Sequence, residues 1–319
     1  MRFSRSSLQV PTTITVLKYE GETINLNIND LDIQQLLGSG EYGIVSYATL
    51  RSDPNIKMAV KRIRLETNDE KRLSTYTDLT TIERVGTKLH PYIVKYFGSI
   101  IDKVEGDLLI FMELMDTSMD RFYRTVHERQ DLDLLDLILR RVTFSIVSAL
   151  NFLKYHRILH RDVKPQNILV NRQCQFKLCD FGICGYFTNS KSVTSSFKGT
   201  NVYLPPERMK DNVEPYGIRS DIWALGISLV EIANGKQPFL GIQIFDLADL
   251  IQTWIPNIDD KLISFALKEL ILYLLKTDYR LRPMSYDEIL GIPILQSVHA
   301  IPSNVEMNYI THIINNIVP

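Results

Sequence analysis

The sequence predicts an α+β protein of two lobes, a small β-rich lobe followed by a larger helical one. Three observations predict it. The chain has 319 residues, enough for one large domain or two lobes at roughly 100–200 residues per domain. Residues 31–115 carry mostly short apolar runs of strand length, punctuated by glycine. From residue 117 onward, long apolar stretches at helical spacing take over. The change of pattern near 113–117 marks the boundary, and a site is expected in the cleft between the lobes.

The elements follow in order. Residues 1–21 are polar, with Arg2 and Arg5 ahead of Leu8-Gln9-Val10-Pro11, and read as a flexible arm. Residues 22–27 alternate (Glu-Thr-Ile-Asn-Leu-Asn), which suggests a short strand. Strands are predicted at Leu37–Val45, Lys57–Ile63, Ile93–Phe97 and Leu108–Met112, with one helical stretch over 68–85. Helices are predicted at Leu132–Leu153, Ile222–Ile232 and Leu262–Leu275. Ser303-Asn304-Val305-Glu306 reads as a capping box. Met307, Ile310, Ile314 and Ile317 then form an apolar stripe, expected to pack on the large lobe.

Composition narrows the function. Lys plus Arg is 36 and Asp plus Glu is 37, a net charge of -1, which gives no reason to expect a nucleic-acid partner. Three cysteines (Cys174, Cys179, Cys184) are too few and too clustered for a disulfide framework, and they lack paired zinc spacing. A reducing compartment follows as the expectation, the cytoplasm and also the nucleus. No apolar run approaches the ~18 residues of a membrane span, so no membrane partner is expected.

Four motifs carry chemistry. Gly38-Ser39-Gly40-Glu41-Tyr42-Gly43-Ile44-Val45 is a G-x-G-x-x-G-x-V loop, whose glycines let backbone N–H groups approach phosphate oxygens. A plain hairpin turn and a dinucleotide loop share that pattern. Ile44–Leu50 reads as a strand, not the helix a dinucleotide loop needs, which favours a hairpin lid. Met58-Ala59-Val60-Lys61 places a lysine in an apolar strand, where an ammonium needs a phosphate or carboxylate partner. Asp78 is preferred to Glu83 as that partner. His160-Arg161-Asp162-Val163-Lys164-Pro165-Gln166-Asn167 offers a proton acceptor in Asp162, a phosphate-neutralising Lys164 and a metal ligand in Asn167. Asp180-Phe181-Gly182 adds a second hard oxygen ligand suited to Mg²⁺.

In this order and spacing, the motifs resemble those of the eukaryotic protein kinases, over residues 31–297. The resemblance implies a bilobal kinase fold with an arm at 1–30, an N-lobe at 31–112, a hinge at 113–116, a C-lobe at 117–297 and a helical tail at 298–319. It implies MgATP as cofactor. Leu37 and residues Gly38 to Gly43 would cover the phosphates, while Val45, Ala59 and Leu169 would sandwich the adenine. Met112 would be the gatekeeper, and Glu113 to Met115 the segment that hydrogen-bonds the base. Lys61 would hold the α/β-phosphates, Asp162 would be the base, and Asn167 with Asp180 would hold Mg²⁺. Lys164 and Thr200 are similar to the serine/threonine pattern. Asp221 would brace the catalytic loop, and Glu207 with Arg282 would form the ion pair of the large lobe.

A narrower resemblance, to the MAP kinase kinases of the stress-activated branch, is carried by Met112 to Tyr123, Val163-Lys164-Pro165 and Leu178 to Ile183. It implies dual specificity toward Thr and Tyr of a downstream MAP kinase, with an upstream MAP kinase kinase kinase. Ser190 and Thr194 would be the activating phosphosites, with Arg161 as a phosphate partner. The arm is similar to a MAP kinase docking peptide, and the C-terminal stripe to a docking element for upstream kinases. A serine/threonine kinase with another substrate, and a pseudokinase scaffold, are the alternatives. Asp78 in place of Glu, four Thr and one Ser in 74–81, and Pro205 before Pro206-Glu207 depart from the family pattern. Cys179 reads as a small buried filler, and His160 as a packed core histidine that connects the catalytic loop to Phe181.

Overall fold

The computed structural model describes residues 14–40, 43–65, 79, 82, 83, 85, 88, 90–180, 200–209, 217–242 and 244–317. Contacts divide the chain into a first unit, residues 1–89 with 94–114, and a second, residues 90–93 with 115–319.

The first unit is built on a five-stranded antiparallel sheet. Its strands are β3 (Leu31–Gly40), β4 (Gly43–Leu50), β5 (Lys57–Arg64), β6 (Tyr96–Asp102) and β7 (Asp107–Met112), in the order β3-β4-β5-β7-β6. A separate hairpin precedes it, β1 (Ile14–Tyr19) paired with β2 (Glu22–Asn27). Its two-residue turn, Glu20-Gly21, has positive φ at both positions, which matches the right-handed twist of paired strands. Leu17 and Leu26 join Leu50, Met58, Phe97, Ile100 and Phe111 in one buried core, and Tyr19 meets Phe97 edge-on at 5.0 Å. The hairpin therefore belongs to this unit. That corrects the expectation of a flexible arm for residues 14–21; residues 1–13 lie outside the described residues. Ile-Thr-Val-Leu-Lys-Tyr is a strand-forming run, and its fully buried Leu17 supplies apolar contact that seats it. A second correction concerns 93–97. Ile93 makes only an isolated bridge, to Leu178, and the strand begins at Tyr96.

The second unit is helical. Its helices are α1 (Met119–Glu128), α2 (Leu135–Tyr155), α3 (Ile218–Asn234), α4 (Ile244–Thr253), α5 (Phe265–Leu274), α6 (Tyr286–Leu290), α7 (Pro293–Gln296) and α8 (Asn304–Asn315). Ser118, Ser264, Ser285 and Ser303 cap α1, α5, α6 and α8 through their hydroxyls. Helix α3 is buried from Ser220 to Ala233, as its apolar sequence on all sides requires, and it ends at Gly235 with φ 72. A small sheet of β8 (Thr117–Ser118), β9 (Ile168–Val170) and β10 (Phe176–Leu178) lies in the order β10-β9-β8. The C-terminal helix α8 packs on this unit through Ile310 and Ile314 of the predicted stripe and through Ile313, which the stripe did not include, while Met307 and Ile317 are half-buried. Of the helical stretch expected over 68–85, Leu79, Ile82, Glu83 and Val85 are described and are helical.

Candidate active site

The catalytic segment follows α2 and is held from below by α3. Asp221, fully buried in the first turn of α3, accepts the N–H of His160 at 3.0 Å and of Arg161 at 2.8 Å. A helix N-terminus favours a carboxylate there. The two bonds hold Arg161 at φ 69, a conformation that costs about 1–3 kcal/mol without such support. His160, 1% exposed, presents Nε2 to the carbonyl of Cys179 at 2.8 Å, so that nitrogen carries the proton. Its Nδ1 accepts the N–H of Asp162 at 3.3 Å. Both ring nitrogens are thus engaged within the protein, and His160 is a strut between the segment and the chain leading to Asp180.

Asp162 is 6% exposed. Its Oδ2 accepts the Asn167 Nδ2 at 2.8 Å and pairs with the Lys164 ammonium at 2.7 Å. Asn167 Nδ2 also donates to the Asp162 carbonyl at 2.8 Å. Both amide hydrogens of Asn167 are therefore spent on Asp162, which leaves its Oδ1 as the donor atom for a cation. In the same way Oδ1 of Asp162 takes no bond among the described residues and is the oxygen left to accept a proton.

Asp180 lies close by along the chain. Cys179 donates its N–H to the Asn167 carbonyl at 3.0 Å, which places Asp180 one residue beyond a bond to Asn167. Asp180 has φ 61, again in the left-handed region. Among the described residues no group of three or more His, Cys, Asp or Glu could hold a metal by itself. An amide oxygen and one carboxylate fit a hard cation that takes its other ligands from phosphate and water. Leu169, half-buried on β9, and Met115, 8% exposed, belong to the same unit. Cys179 is buried, as a filler should be.

The first unit carries the other half of the predicted residues. Lys61 on β5 is 3% exposed and pairs in register with Val45 on β4 and Ile110 on β7. Ala59, two residues back on the same face, pairs with Met112. The Glu113 N–H donates to the Lys95 carbonyl at 2.9 Å, and its Oε2 accepts the Lys95 N–H at 3.1 Å, which fixes the segment after β7. Gly38 pairs with Val45, and Gly40 with Gly43, across the predicted hairpin. Leu37 is half-buried and Ser39 exposed. The glycines differ in what holds them. A Cβ at Gly43 would stand 2.2 Å from the Arg62 carbonyl oxygen, at φ 126, so packing alone demands glycine. A Cβ at Gly38 or Gly40 would meet nothing within 4 Å. Glu41, Tyr42, Asp78, Phe181, Ser190 and Thr194 lie outside the described residues. Glu83, the other acid considered, takes hydrogen bonds from the hydroxyls of Tyr96 at 3.0 Å and Ser99 at 3.4 Å.

The large-lobe pair is present. Arg282 Nη1 and Nη2 donate to the two carboxylate oxygens of Glu207 at 2.8 and 2.9 Å. Arg282 also donates to the carbonyls of Lys276, Arg219 and Thr277 and lies over the Trp223 ring at 4.7 Å. Burial pushes its pKa below the ordinary arginine value, against the pull of Glu207. Thr200 opens a short helical turn that ends at Tyr203. Sequence reasoning missed two polar links in this unit. Gln166, inside the catalytic segment, donates to Asp120 of α1 at 2.8 Å. Arg172 grips Asp116, just after Met115, through its backbone N–H at 2.9 Å and its guanidinium, and reaches Asn315 of α8 at 3.1 Å.

The sequence from 31 to 294 matches the protein kinase domain. The chain belongs to the protein kinase family. It is 35% identical over 285 residues to the dual specificity mitogen-activated protein kinase kinase sek-1 of Caenorhabditis elegans, covering 88% of this chain and 82% of that protein. It is 37% identical over 285 residues to the MAP kinase kinase mkk-4 of the same organism, covering 86% and 76%. It is 34% identical over 271 residues to the MAP kinase kinase MKK1/SSP32 of Saccharomyces cerevisiae, covering 81% of this chain and 52% of that protein. The kinase is thus an ATP-dependent member of the MAP kinase kinase group. Its family goes with ATP and a divalent metal. No helix among the described residues is long and apolar enough to cross a membrane.

Proposed function

We propose that this kinase transfers the γ-phosphoryl group of MgATP to Thr and Tyr in the activation loop of a stress-activated MAP kinase. One observation carries the chemical half of the reading. Asp162 has one carboxylate oxygen fixed by Asn167 and Lys164 and the other left unclaimed among the described residues. That oxygen accepts the proton of the attacking hydroxyl as the oxygen–phosphorus bond forms, and Lys164 balances charge on the transferring group. Lys61 holds the α- and β-phosphates. Leu37 and the strand ends around Gly38 and Gly40, where a side chain would find no protein neighbour, let backbone approach the phosphates. Val45, Ala59 and Leu169 contact the adenine, with Met112, Glu113 and Met115 at its edge. Asn167 Oδ1 and Asp180 are the ligands for Mg²⁺, which supplies neutralisation of phosphate charge when bound. Catalysis is then mainly positioning and electrostatic stabilisation.

The substrate half is supported by the relatives, each named a MAP kinase kinase. Ser190 and Thr194 are the proposed activating sites, phosphorylated by an upstream kinase. The test uses purified protein carrying Ser190→Asp and Thr194→Asp, several catalytically dead MAP kinases, MgATP, and an Asp180→Asn blank. Phosphate on both Thr and Tyr of one MAP kinase loop, located by mass spectrometry, is the expected result. Transfer to a generic Ser/Thr peptide but to no MAP kinase overturns the substrate assignment. Silence on everything, repeated with natively phosphorylated protein, overturns the catalytic one.

A further inference from the structure

One polar cluster outside the transfer chemistry centres on Asp116, the residue after Met115. Its N–H donates to the Val170 carbonyl at 3.1 Å, beside the pairing of β8 with β9. Its Oδ2 accepts the N–H of Arg172 at 2.9 Å, and its Oδ1 pairs with the Arg172 guanidinium. The same guanidinium donates through Nη2 to Oδ1 of Asn315, the last residue of α8, at 3.1 Å. Asp116 is thus fastened to the end of β9 and to the residue just beyond it, whose side chain is fastened in turn to the C-terminal helix.

The fold does not need this arginine. The loop at 171–175 is closed without it. Cys174 donates its N–H to the Asn171 carbonyl at 2.9 Å, the Gln175 N–H donates to Asn171 Oδ1 at 3.0 Å, and Asn171 Nδ2 donates to Gln175 Oε1 at 2.9 Å. Helix α8 is secured by the buried pair of Arg141 and Glu306. The Arg172 and Asp116 side chains are 44% and 24% exposed, and a pair that open to water adds little to overall stability. What the pair fixes is local. Asp116 follows Met115 directly, and Val170, which accepts its N–H, follows Leu169. The two adenine contacts that the second unit supplies each lie one residue from this clamp.

We propose that Arg172, acting through Asp116, is a positioning residue for ATP: it holds the segment of Met115 against β9, so that the adenine enters a slot already spaced for it, and the end of α8 steadies the arginine. The proposal rests on the adenine contacts assigned above to Met115 and Leu169. A slot shaped in advance avoids the ordering cost that a loose segment meets when the nucleotide binds. The effect therefore falls on nucleotide affinity. The rate of transfer at saturating ATP and the KM for the protein substrate stay as they are.

Calorimetry on the full chain measures the dissociation constant for MgATP, and steady-state kinetics are run on the same proteins in activated form. Arg172→Ala is expected to raise that constant about fivefold, the upper end for a pair this exposed, with kcat and the protein KM within about twofold of the parent. Asp116→Ala also loses the bond from the Arg172 N–H and should raise it about tenfold. The double variant should match Asp116→Ala within about twofold, because the two residues act through one contact. Asn315→Ala should give a smaller rise, and Arg172→Lys, which keeps a cation opposite Asp116, should fall between parent and Arg172→Ala. Raising the salt to about 1 M should shrink the ratio of Arg172→Ala to parent, since a half-exposed pair is screened. A rise of less than about twofold in Arg172→Ala overturns the proposal. So does a double variant whose effect is the product of the two singles, or a parallel fall in kcat, which marks general damage. If Arg172→Ala fails to fold, Arg172→Gln, which keeps the stem, is held to the same outcomes. Leu169→Trp separates the two readings, because filling the slot should abolish MgATP binding. If that variant binds MgATP like the parent, the adenine assignment falls and the proposal with it. If it loses binding while Arg172→Ala changes nothing, only the clamp falls.

Discussion

The C-terminal helix offers a sharp energetic test, because one carboxylate secures it twice. Glu306 Oε1 accepts the Arg141 guanidinium, with Nε at 2.6 Å, and the two side chains are 5% and 7% exposed. Glu306 Oε2 closes the capping box, accepting the N–H of Ser303 at 2.7 Å and its hydroxyl at 2.8 Å. Glu306→Gln keeps the shape and leaves Arg141 charged, buried and without its counter-ion. Such a loss costs about 3–5 kcal/mol. At about 2–4 °C per kcal/mol for a unit of this size class, the melting temperature should fall by roughly 6–20 °C. Arg141→Met with Glu306→Leu should recover most of that, short of about 1 kcal/mol for the lost cap. The pH dependence has a definite sign. Burial alone pushes Glu306 up, but its bonds to Ser303 and Arg141 hold it below the ordinary 4.5. A carboxylate with a depressed folded pKa contributes stability above its unfolded value and loses it as pH falls through the folded one. The gap between parent and Glu306→Gln should therefore be full at pH 7 and narrow below about pH 4.5. Urea unfolding at pH 7, 5 and 4 and calorimetry measure both. A Glu306→Gln protein that melts within about 2 °C of the parent would show that this buried pair secures nothing.

Three further outcomes are expected. Gly43→Ala should destabilise by about 1–3 kcal/mol, since its Cβ strikes the Arg62 carbonyl, whereas Gly38→Ala should melt like the parent and raise only the KM for ATP. Gly98→Val should cost a similar amount by prising away β1, because a Cβ there already stands 3.0 Å from the Val16 carbonyl oxygen; limited proteolysis should then cut within residues 14–27. Asp221→Asn can accept through only one oxygen, so one of the N–H groups of His160 and Arg161 is left unmet at about 1–3 kcal/mol, and hydrogen exchange at those amides should quicken.

What the sequence revealed and what it hid divide along one physical line, the separation of interacting residues in the chain. Asp162, Lys164 and Asn167 interact within five residues, so their spacing is itself the geometry. The Ser303–Glu306 box is legible for the same reason. Tyr123 and Glu231 are 108 residues apart and Arg141 and Glu306 are 165 apart, and no local pattern records such pairs. Arg172, Asp120 and Gln166 look like ordinary surface residues until the fold brings them together. Strand β1 was hidden differently. Of its described side chains, Thr15 to Tyr19, only Leu17 is fully buried, so a period-two signal barely exists, and the polar residues before it gave the segment the look of a tail. The signal that could have found it was Gly98, a glycine interior to a strand, which marks close approach of another backbone.

Helix α3 keeps two buried acids, Asp221 and Glu231, for a reason its packing alone does not give. Asp221 and Glu231 lie ten residues apart on it, about 15 Å along the axis at about 1.5 Å per residue. One holds the catalytic segment by its peptide N–H groups and the other holds Tyr203 and Tyr123. Between them, the Trp223 ring lies under the Arg282 guanidinium that grips Glu207. An apolar helix could pack in this place with less desolvation, but it would carry no directional bonds. Close packing resists small axial shifts, and two acids on one rigid rod convert that resistance into a fixed separation between the residues they hold. A substitution that slides or kinks α3 should then disturb the catalytic segment and the loop at Tyr203 together, while loss of either acid alone should disturb only the element it holds.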